Sequence, residues 1–161
     1  MTIINLSYLI RTRPFALLFL LTFNLAQLAG ARIVKTWSYQ DMFDKADLVV
    51  IARFISTKDT DERTSLRDLE PPSNVVGVVS EFETLLTMKG STEIKQFRLH
   101  HYRLDGEEYS NGPALVRVAQ GKHPAFLLFL LKEDDGRYAP ITGQTDPAAF
   151  SVLELKAGAA L

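Results

Sequence analysis

The stretch AFLLFLL, residues Ala125–Leu131, decides the fold of this chain. It is too short to span a membrane, and the hairpin signal Asp135-Gly136 follows it closely. The pattern therefore predicts a central β-strand that is buried on both faces. Arg137–Thr142 is expected to return beside it as the next strand, and Phe150–Leu155 to form a last strand or a short helix.

Further strands are predicted on the N-terminal side of this stretch, where β-branched and aromatic residues are concentrated. A short helix over Thr36–Ala46, capped by Ser38, comes before them. In Val75–Met88, one face is expected to hold Val76, Val78, Phe82, Thr84 and Leu86, and Gly77 and Ser80 suggest a bulge. The remaining strands are expected at Asp47–Ser56, Ile94–Leu104 and, as a short edge strand, Leu115–Val118.

The segment Thr57–Asn74 is polar, alternates in charge and contains Pro71-Pro72. This composition predicts a long mobile loop. With that loop set aside, five or six strands and one short helix remain, without the alternation of strands and helices that a parallel sheet needs. The fold class is therefore mainly β, a small closed barrel of five to six strands with a short N-terminal helix, preceded by a signal-peptide helix; the OB-like type of this barrel is implied by a resemblance to a known superfamily.

Three phrases in the chain resemble one known superfamily. FDKADLVVIARFIS (43–56), VSEFETLLTMKG (79–90) and GKHPAFLLFLLKEDDGRYAPITG (121–143) are similar to the exported bacterial relatives of the tissue-inhibitor-of-metalloprotease and netrin-like domains. The resemblance covers about Tyr39 to Gly143 and implies an OB-type barrel. It does not imply protease inhibition, because those inhibitors chelate zinc through an N-terminal cysteine and this chain has no cysteine.

The N-terminus predicts export. Arg11 and Arg13 precede an uncharged segment, Pro14–Ala31, which ends in the small residues Ala29-Gly30-Ala31. A basic region, an apolar region and an A-x-A end are typical of a secretory signal peptide. Cleavage is predicted between Ala31 and Arg32, so residues 32–161 form a single secreted or periplasmic domain that meets the membrane only transiently. The alternative is that Pro14–Ala31 stays as a membrane anchor.

Composition narrows the possible partners. Residues 1–31 contain two of the 18 basic residues and none of the 19 acidic ones, so the mature chain has a formal charge of −3. It lacks the basic field that holds a phosphate backbone, and nucleic acid is not expected as a partner. The absence of cysteine excludes thiol catalysis, disulfide exchange and Cys-ligated metal sites.

No catalytic, cofactor or metal site is predicted. His100 and His101 are neighbours on a strand and point to opposite faces, so they are not expected to share a metal ion. With His123, the three histidines are expected to be one half-buried and two surface imidazoles. Glu81 and Glu83 share a strand face, but a glycosidase pair needs a cleft that raises one pKa.

The sequence favours a non-catalytic exported binding module, whose partner is an unknown extracytoplasmic protein, peptide or glycan. The best candidate for a contact surface is the acidic loop with flanking aromatic residues, formed by Tyr102, Glu107, Glu108 and Tyr109. The alternative is an enzyme whose site assembles from distant residues such as His101, His123 and Glu108.

Overall fold

A computed structural model describes residues 37–66, 72–106, 114–118, 124–145 and 150–155. These residues form one short helix and six strands. In chain order the elements are α1 (Tyr39–Lys45), β1 (Leu48–Leu66), β2 (Ser73–Lys89), β3 (Gln96–Leu104), β4 (Ala125–Lys132), β5 (Tyr138–Pro140) and β6 (Val152–Leu155). The predicted signal sequence and its cleavage residues Ala29, Ala31 and Arg32 lie outside the described residues.

Helix α1 begins where the sequence predicts. The Ser38 side chain accepts a hydrogen bond of 3.0 Å from the backbone N–H of Asp41, which satisfies one of the unpaired donors in the first turn. Met42 is fully buried, and Trp37 packs against the same apolar cluster. At the other end, the Lys89 ammonium donates to the carbonyls of Phe43 and Asp44 and so joins α1 to the end of β2. In the described part of the chain, no helix is long and apolar enough to cross a membrane.

The six strands form one mixed sheet in the order β1-β2-β3-β5-β4-β6. β1 also pairs with β4 over Leu48–Arg53, which brings the sheet back on itself so that it nearly closes into a ring. The weakest join is the parallel contact between β3 and β5, which consists of the single pair Leu99 and Tyr138.

The ring encloses an apolar core. Phe82 lies at its centre, with its ring centroid 5.9 Å from that of Phe54, 5.5 Å from Phe97 and 5.7 Å from Phe126. Burying large side chains of this kind stabilises a fold by about 1.5–3 kcal/mol each before entropy is subtracted. The buried members of this core are Leu48, Val50, Ala52, Phe54, Phe82, Phe97, Leu99, Val116, Phe126, Leu128, Leu130, Tyr138 and Val152.

β4 is the central strand that its sequence predicts. One of its edges pairs with β1 and the other with β6 and then β5. One face points into the core, and the opposite face, through Phe129, packs against Met42 of α1. The hairpin at Asp135-Gly136 is confirmed: Gly136 has a φ of +82°, and the Glu133 N–H donates to the Arg137 carbonyl at 2.8 Å.

The loop expected over Thr57–Asn74 is wrong at both ends, because β1 continues to Leu66 and β2 begins at Ser73. Beyond Arg53, β1 loses β4 as a neighbour and pairs only with β2, so one edge and much of both faces meet solvent. Charged residues are suited to such an edge because they discourage pairing with other chains. The polar composition that predicts a loop in this segment therefore belongs to an exposed edge strand.

Three smaller expectations also differ. Leu115–Val118 makes only an isolated bridge, from Leu115 to Thr145, and not a strand. Phe150–Leu155 contains a strand and no helix. Leu86 does not share the inner face with Phe82, because Leu85 is an extra residue between two β1–β2 pairs and turns Leu86 outward.

Candidate functional site

Strand β3 carries two adjacent histidines whose side chains lie on opposite faces of the sheet. His100 is 4% exposed and His101 is 6% exposed. The expectation of mostly surface imidazoles is therefore wrong for these two, and His123 lies outside the described residues. The alternation of side chains along a strand predicts that the two histidines lie on opposite faces, but it does not predict that other residues bury both faces.

The outer-face histidine belongs to a charged group that we call the His100 cluster: Glu62, His100, Tyr102, Glu133 and Arg137. Nδ1 of His100 lies 3.0 and 3.1 Å from the two carboxylate oxygens of Glu133. Nε2 lies 3.2 Å from Oε2 of Glu62, but this second contact is not aligned as a hydrogen bond. The Tyr102 hydroxyl donates to the other oxygen of Glu62, and Nε of Arg137 lies 3.4 Å from Glu133.

Glu62 reaches this cluster because of Gly77. Asp59 pairs with Val78 and Arg63 with Val76, so three residues of β1 stand opposite the single residue Gly77. A Cβ at position 77 would lie 2.6 Å from Thr60 Oγ1 and 2.9 Å from Glu62 Cβ. Only glycine allows the bulge of β1 to cross β2 this closely. The sequence predicts a bulge in β2 at Gly77, and the structure instead has the extra residues in β1, opposite Gly77.

Tyr102 is the one described residue of the predicted contact surface. Burial raises its pKa to about 12, and the hydrogen bond to Glu62 acts in the same direction. The side chain is therefore a neutral hydrogen-bond donor at any ordinary pH. Glu107, Glu108 and Tyr109 lie outside the described residues, so the acidic loop stays a prediction.

The inner-face histidine is bound to hydroxyl groups. Nε2 of His101 lies 2.9 Å from Oγ of Ser80, and Ser80 donates in turn to Oγ1 of Thr57 at 2.9 Å. Burial, with a smaller contribution from the neighbouring His100, lowers the pKa of His101 to about 4, while a contact with the Tyr102 backbone acts in the opposite direction. His101 is therefore neutral above pH 5. Its Nδ1 makes no hydrogen bond with any residue that the structure describes.

His101 lines a cavity of about 570 Å³ at the end of the ring, which we call the mouth cavity. Its walls combine valines with charged and hydroxyl groups. The guanidinium of Arg103 donates two hydrogen bonds to the carboxylate of Asp59. That interaction lowers the pKa of Asp59 and makes the pair electrically neutral. The lining residues are Thr57, Asp59, Val78, His101, Tyr102, Arg103, Val116, Arg117, Val118 and Glu154.

The same geometry limits the chemistry that this site offers. The arrangement of Ser80 beside His101 resembles part of a hydrolase site, but Ser80 is 0% exposed and its hydroxyl is hydrogen-bonded to Thr57. Over the described ranges, no group of three or more His, Asp or Glu side chains is placed to hold a metal ion. The cavity is a concave surface lined in part by the His101 ring, whose buried Nδ1 has no hydrogen-bond partner among the described residues.

Glu81 and Glu83 take part in surface contacts. Glu81 accepts a hydrogen bond of 3.1 Å from Ser56, and Glu83 lies 3.3 Å from the Arg53 guanidinium. Neither carboxylate lines the mouth cavity. Of the residues considered for an assembled enzyme site, the structure describes His101 and gives no position for His123 or Glu108.

Comparison with known proteins adds no relative: no protein-family model, curated protein or solved structure matches this chain.

The sequence analysis did not identify several residues of the site, namely Thr57, Asp59, Glu62 and Glu133. Thr57, Asp59 and Glu62 lie in the segment that composition assigns to a loop, and Glu133 lies in a turn that is charged like many others. No local signal distinguishes them.

Proposed function

We propose that this chain is an exported, non-catalytic binding module, whose ligand site is the mouth cavity. In this proposal the signal sequence is removed between Ala31 and Arg32, and the mature domain works in the periplasm or outside the cell. The partner is an extracytoplasmic protein, peptide or glycan, of which a small polar group enters the cavity. N-terminal sequencing of the exported protein tests the location, since a retained Pro14–Ala31 anchor would leave Met1 or an adjacent residue at the N-terminus.

The order of strand pairing supports an OB-type fold as the frame of this module. Five strands follow the cyclic order β1-β2-β3-β5-β4-β1, with β3 and β5 parallel. This is the order of the five-stranded, partly open Greek-key barrels of the OB type, which bind ligands on an open face and with loops. The resemblance to netrin-like domains points to the same frame, although a fold alone does not select a ligand.

The observation that carries the proposal is Nδ1 of His101. Buried polar atoms in folded proteins nearly always have a hydrogen-bond partner, and those that lack one need an explanation. Here the buried imidazole lines a cavity whose volume lies within the ordinary range for ligand pockets, roughly 300–1,000 Å³. Nδ1 itself has less than 1 Å² of accessible surface, so a ligand in the cavity would bond to it after a small movement of the His101 ring and would then complete the site.

The walls of the cavity favour an uncharged polar group. Asp59 and Arg103 neutralise each other, the formal charges of Arg117 and Glu154 in the lining sum to zero, and His101 carries no charge above pH 5. Val78, Val116 and Val118 offer apolar contact beside these polar groups. A hydroxyl or amide group on a compact apolar body, as in a sugar ring or a peptide side chain, fits this combination.

Histidine NMR tests the proposal directly. The ¹⁵N signals of the His101 ring are followed while neutral monosaccharides, N-acetylated sugars or uncharged dipeptides are added to the mature protein. We expect a saturable shift with one class. Val118→Trp places a large side chain in the cavity and should abolish the shift, whereas Leu86→Trp adds the same side chain on an exposed outer position and should preserve it.

Two results would contradict the proposal. One is a ligand whose binding shifts other residues and is unaffected by Val118→Trp, which would place the site elsewhere. The other is turnover of any probe that is lost in His101→Gln, which would favour the enzyme alternative.

A further inference from the structure

His100 occupies an unusual position, between carboxylates that come from two different elements. Glu62 belongs to the bulge of β1, and Glu133 belongs to the turn between β4 and β5. Nδ1 approaches Glu133 at 3.0 Å, and Nε2 approaches Glu62 at 3.2 Å. The bulge lies beyond Arg53, where β1 no longer pairs with β4, and the imidazole joins the bulge and the turn across β3.

The protonation state of the imidazole decides whether both contacts attract. A carboxylate only accepts hydrogen bonds, and a neutral imidazole has one N–H donor. When Nδ1–H donates to Glu133, a neutral ring presents a lone pair on Nε2 beside the Glu62 oxygen. The imidazolium form has a proton on both nitrogens, so both contacts become attractive.

The charges around His100 support the same conclusion. With His100 protonated, the two cations of the His100 cluster balance its two carboxylates, and with His100 neutral the cluster has an excess negative charge in a poorly solvated place. Neutral His101 adds no cation on the other face of β3. The groups that face His100 from each packed element are Lys58 and Glu62 on β1, Tyr102 on β3, and Glu133, Asp135 and Arg137 in the turn, while His101 lies next to it on the opposite face of β3.

We propose that His100 is a pH-dependent clamp, which in its protonated form holds the bulge of β1 and the β4–β5 turn together. Loss of the proton releases the attraction to Glu62 first, because that contact is not supported by an aligned hydrogen bond. The bulge at Thr60–Glu62 then opens more often, while the apolar core below it stays closed. This inference goes beyond the proposed ligand site and does not depend on it.

Hydrogen exchange over a pH series tests the clamp in the full exported chain. Protection factors of the amides in residues 60–62 and 133–137, corrected for intrinsic exchange, are measured between pH 5 and 8.5, the range in which histidine changes charge. We expect protection to fall roughly tenfold as pH rises, which corresponds to about 1.4 kcal/mol, because the contact with Glu62 changes from attractive to repulsive when His100 loses its proton. Amides of the core strand β4 serve as an internal reference and should not follow this step.

Two variants decide the outcome. His100→Gln keeps a hydrogen-bond donor but cannot titrate, so the step in protection should disappear, whereas it should persist in His101→Gln. Glu62→Gln removes one carboxylate from the exposed bulge and should reduce the step without unfolding the protein. The proposal is overturned if wild-type protection shows no step, or if the step survives in His100→Gln, because another group would then be responsible for it.

Discussion

His100 and His101 are adjacent in the chain, yet they have opposite surroundings. The outer ring contacts two carboxylates and forms part of a charged cluster, while the inner ring contacts hydroxyl groups and has one nitrogen without a partner in the described structure. The outer ring lies among charged groups, whereas burial keeps the inner ring uncharged above pH 5. One step along a strand is enough to change the chemistry of an identical side chain, because it changes the face of the sheet.

The largest effect is expected from a substitution at Gly77, which should disturb the His100 site and leave the His101 site unchanged. Gly77→Val would place its side chain against Thr60 and Glu62, whose atoms lie 2.6 and 2.9 Å from the position of a Cβ. We expect the free energy of unfolding to fall by about 3 kcal/mol, as in other overpacked sites. Denaturant unfolding measures this loss, and NMR should show changed signals at His100 but not at His101.

A control for Gly77 is available on the same strand. Asn74 is exposed, so Asn74→Val should change the free energy of unfolding by no more than about 0.5 kcal/mol. Equal losses in both variants would mean that valine in β2, and not the crossing of Glu62, causes the effect.

The second effect is the pH dependence of stability that His101 produces. Burial lowers the pKa of folded His101 from 6.5 to about 4, so between these values the unfolded chain takes up a proton that the folded protein does not. The contribution of His101 to the free energy of unfolding is therefore fully present above pH 6.5 and is lost as the pH decreases toward 4. The total loss is about 3 kcal/mol at most.

Comparing wild type with His101→Gln at each pH isolates this effect. As the pH falls from 7 to 4, the free energy of unfolding of the wild-type protein, measured in urea, should decrease relative to that of the variant. A difference that stays constant with pH would show that His101 does not remain neutral in the folded protein.

A smaller effect is expected from Ser80→Ala. This change removes the hydroxyl that contacts His101 and leaves both nitrogens of a buried ring without a partner in the described structure. An unsatisfied buried polar group costs about 1–3 kcal/mol. Thermal unfolding should show the loss, while Ser56→Ala, which removes an exposed hydroxyl from Glu81, should leave the melting temperature almost unchanged.

The smallest effect is expected at a surface ion pair with no link to either histidine. Arg53 and Glu83 are each 47% exposed, and their charged atoms lie 3.3 Å apart. Arg53→Gln should lower the free energy of unfolding by less than about 0.5 kcal/mol, because solvent screens exposed pairs. If the loss matched that of Ser80→Ala, burial would not be what distinguishes the histidine sites from the surface.

Much of the frame follows from local patterns. The apolar stretch at Ala125–Leu131, the hairpin at Asp135-Gly136 and the cap at Ser38 predict elements that the structure contains, because each depends on residues close in sequence. The polar extension of β1 was not predictable in this way. A strand that pairs on one edge only can carry charges on both faces, and its composition then resembles that of a loop.

The candidate sites show the same division. The sequence determined that His100 and His101 lie on opposite faces and that the strand pairing is irregular at Gly77, since both follow from the period of a strand and the lack of a side chain. Only the tertiary structure decided that Glu62 and Glu133 meet at one imidazole and that Ser80 links the other imidazole to Thr57. The histidine contacts join residues that are 21 to 38 positions apart in the sequence. Strand order and register bring such residues together, and no local sequence pattern encodes either of them.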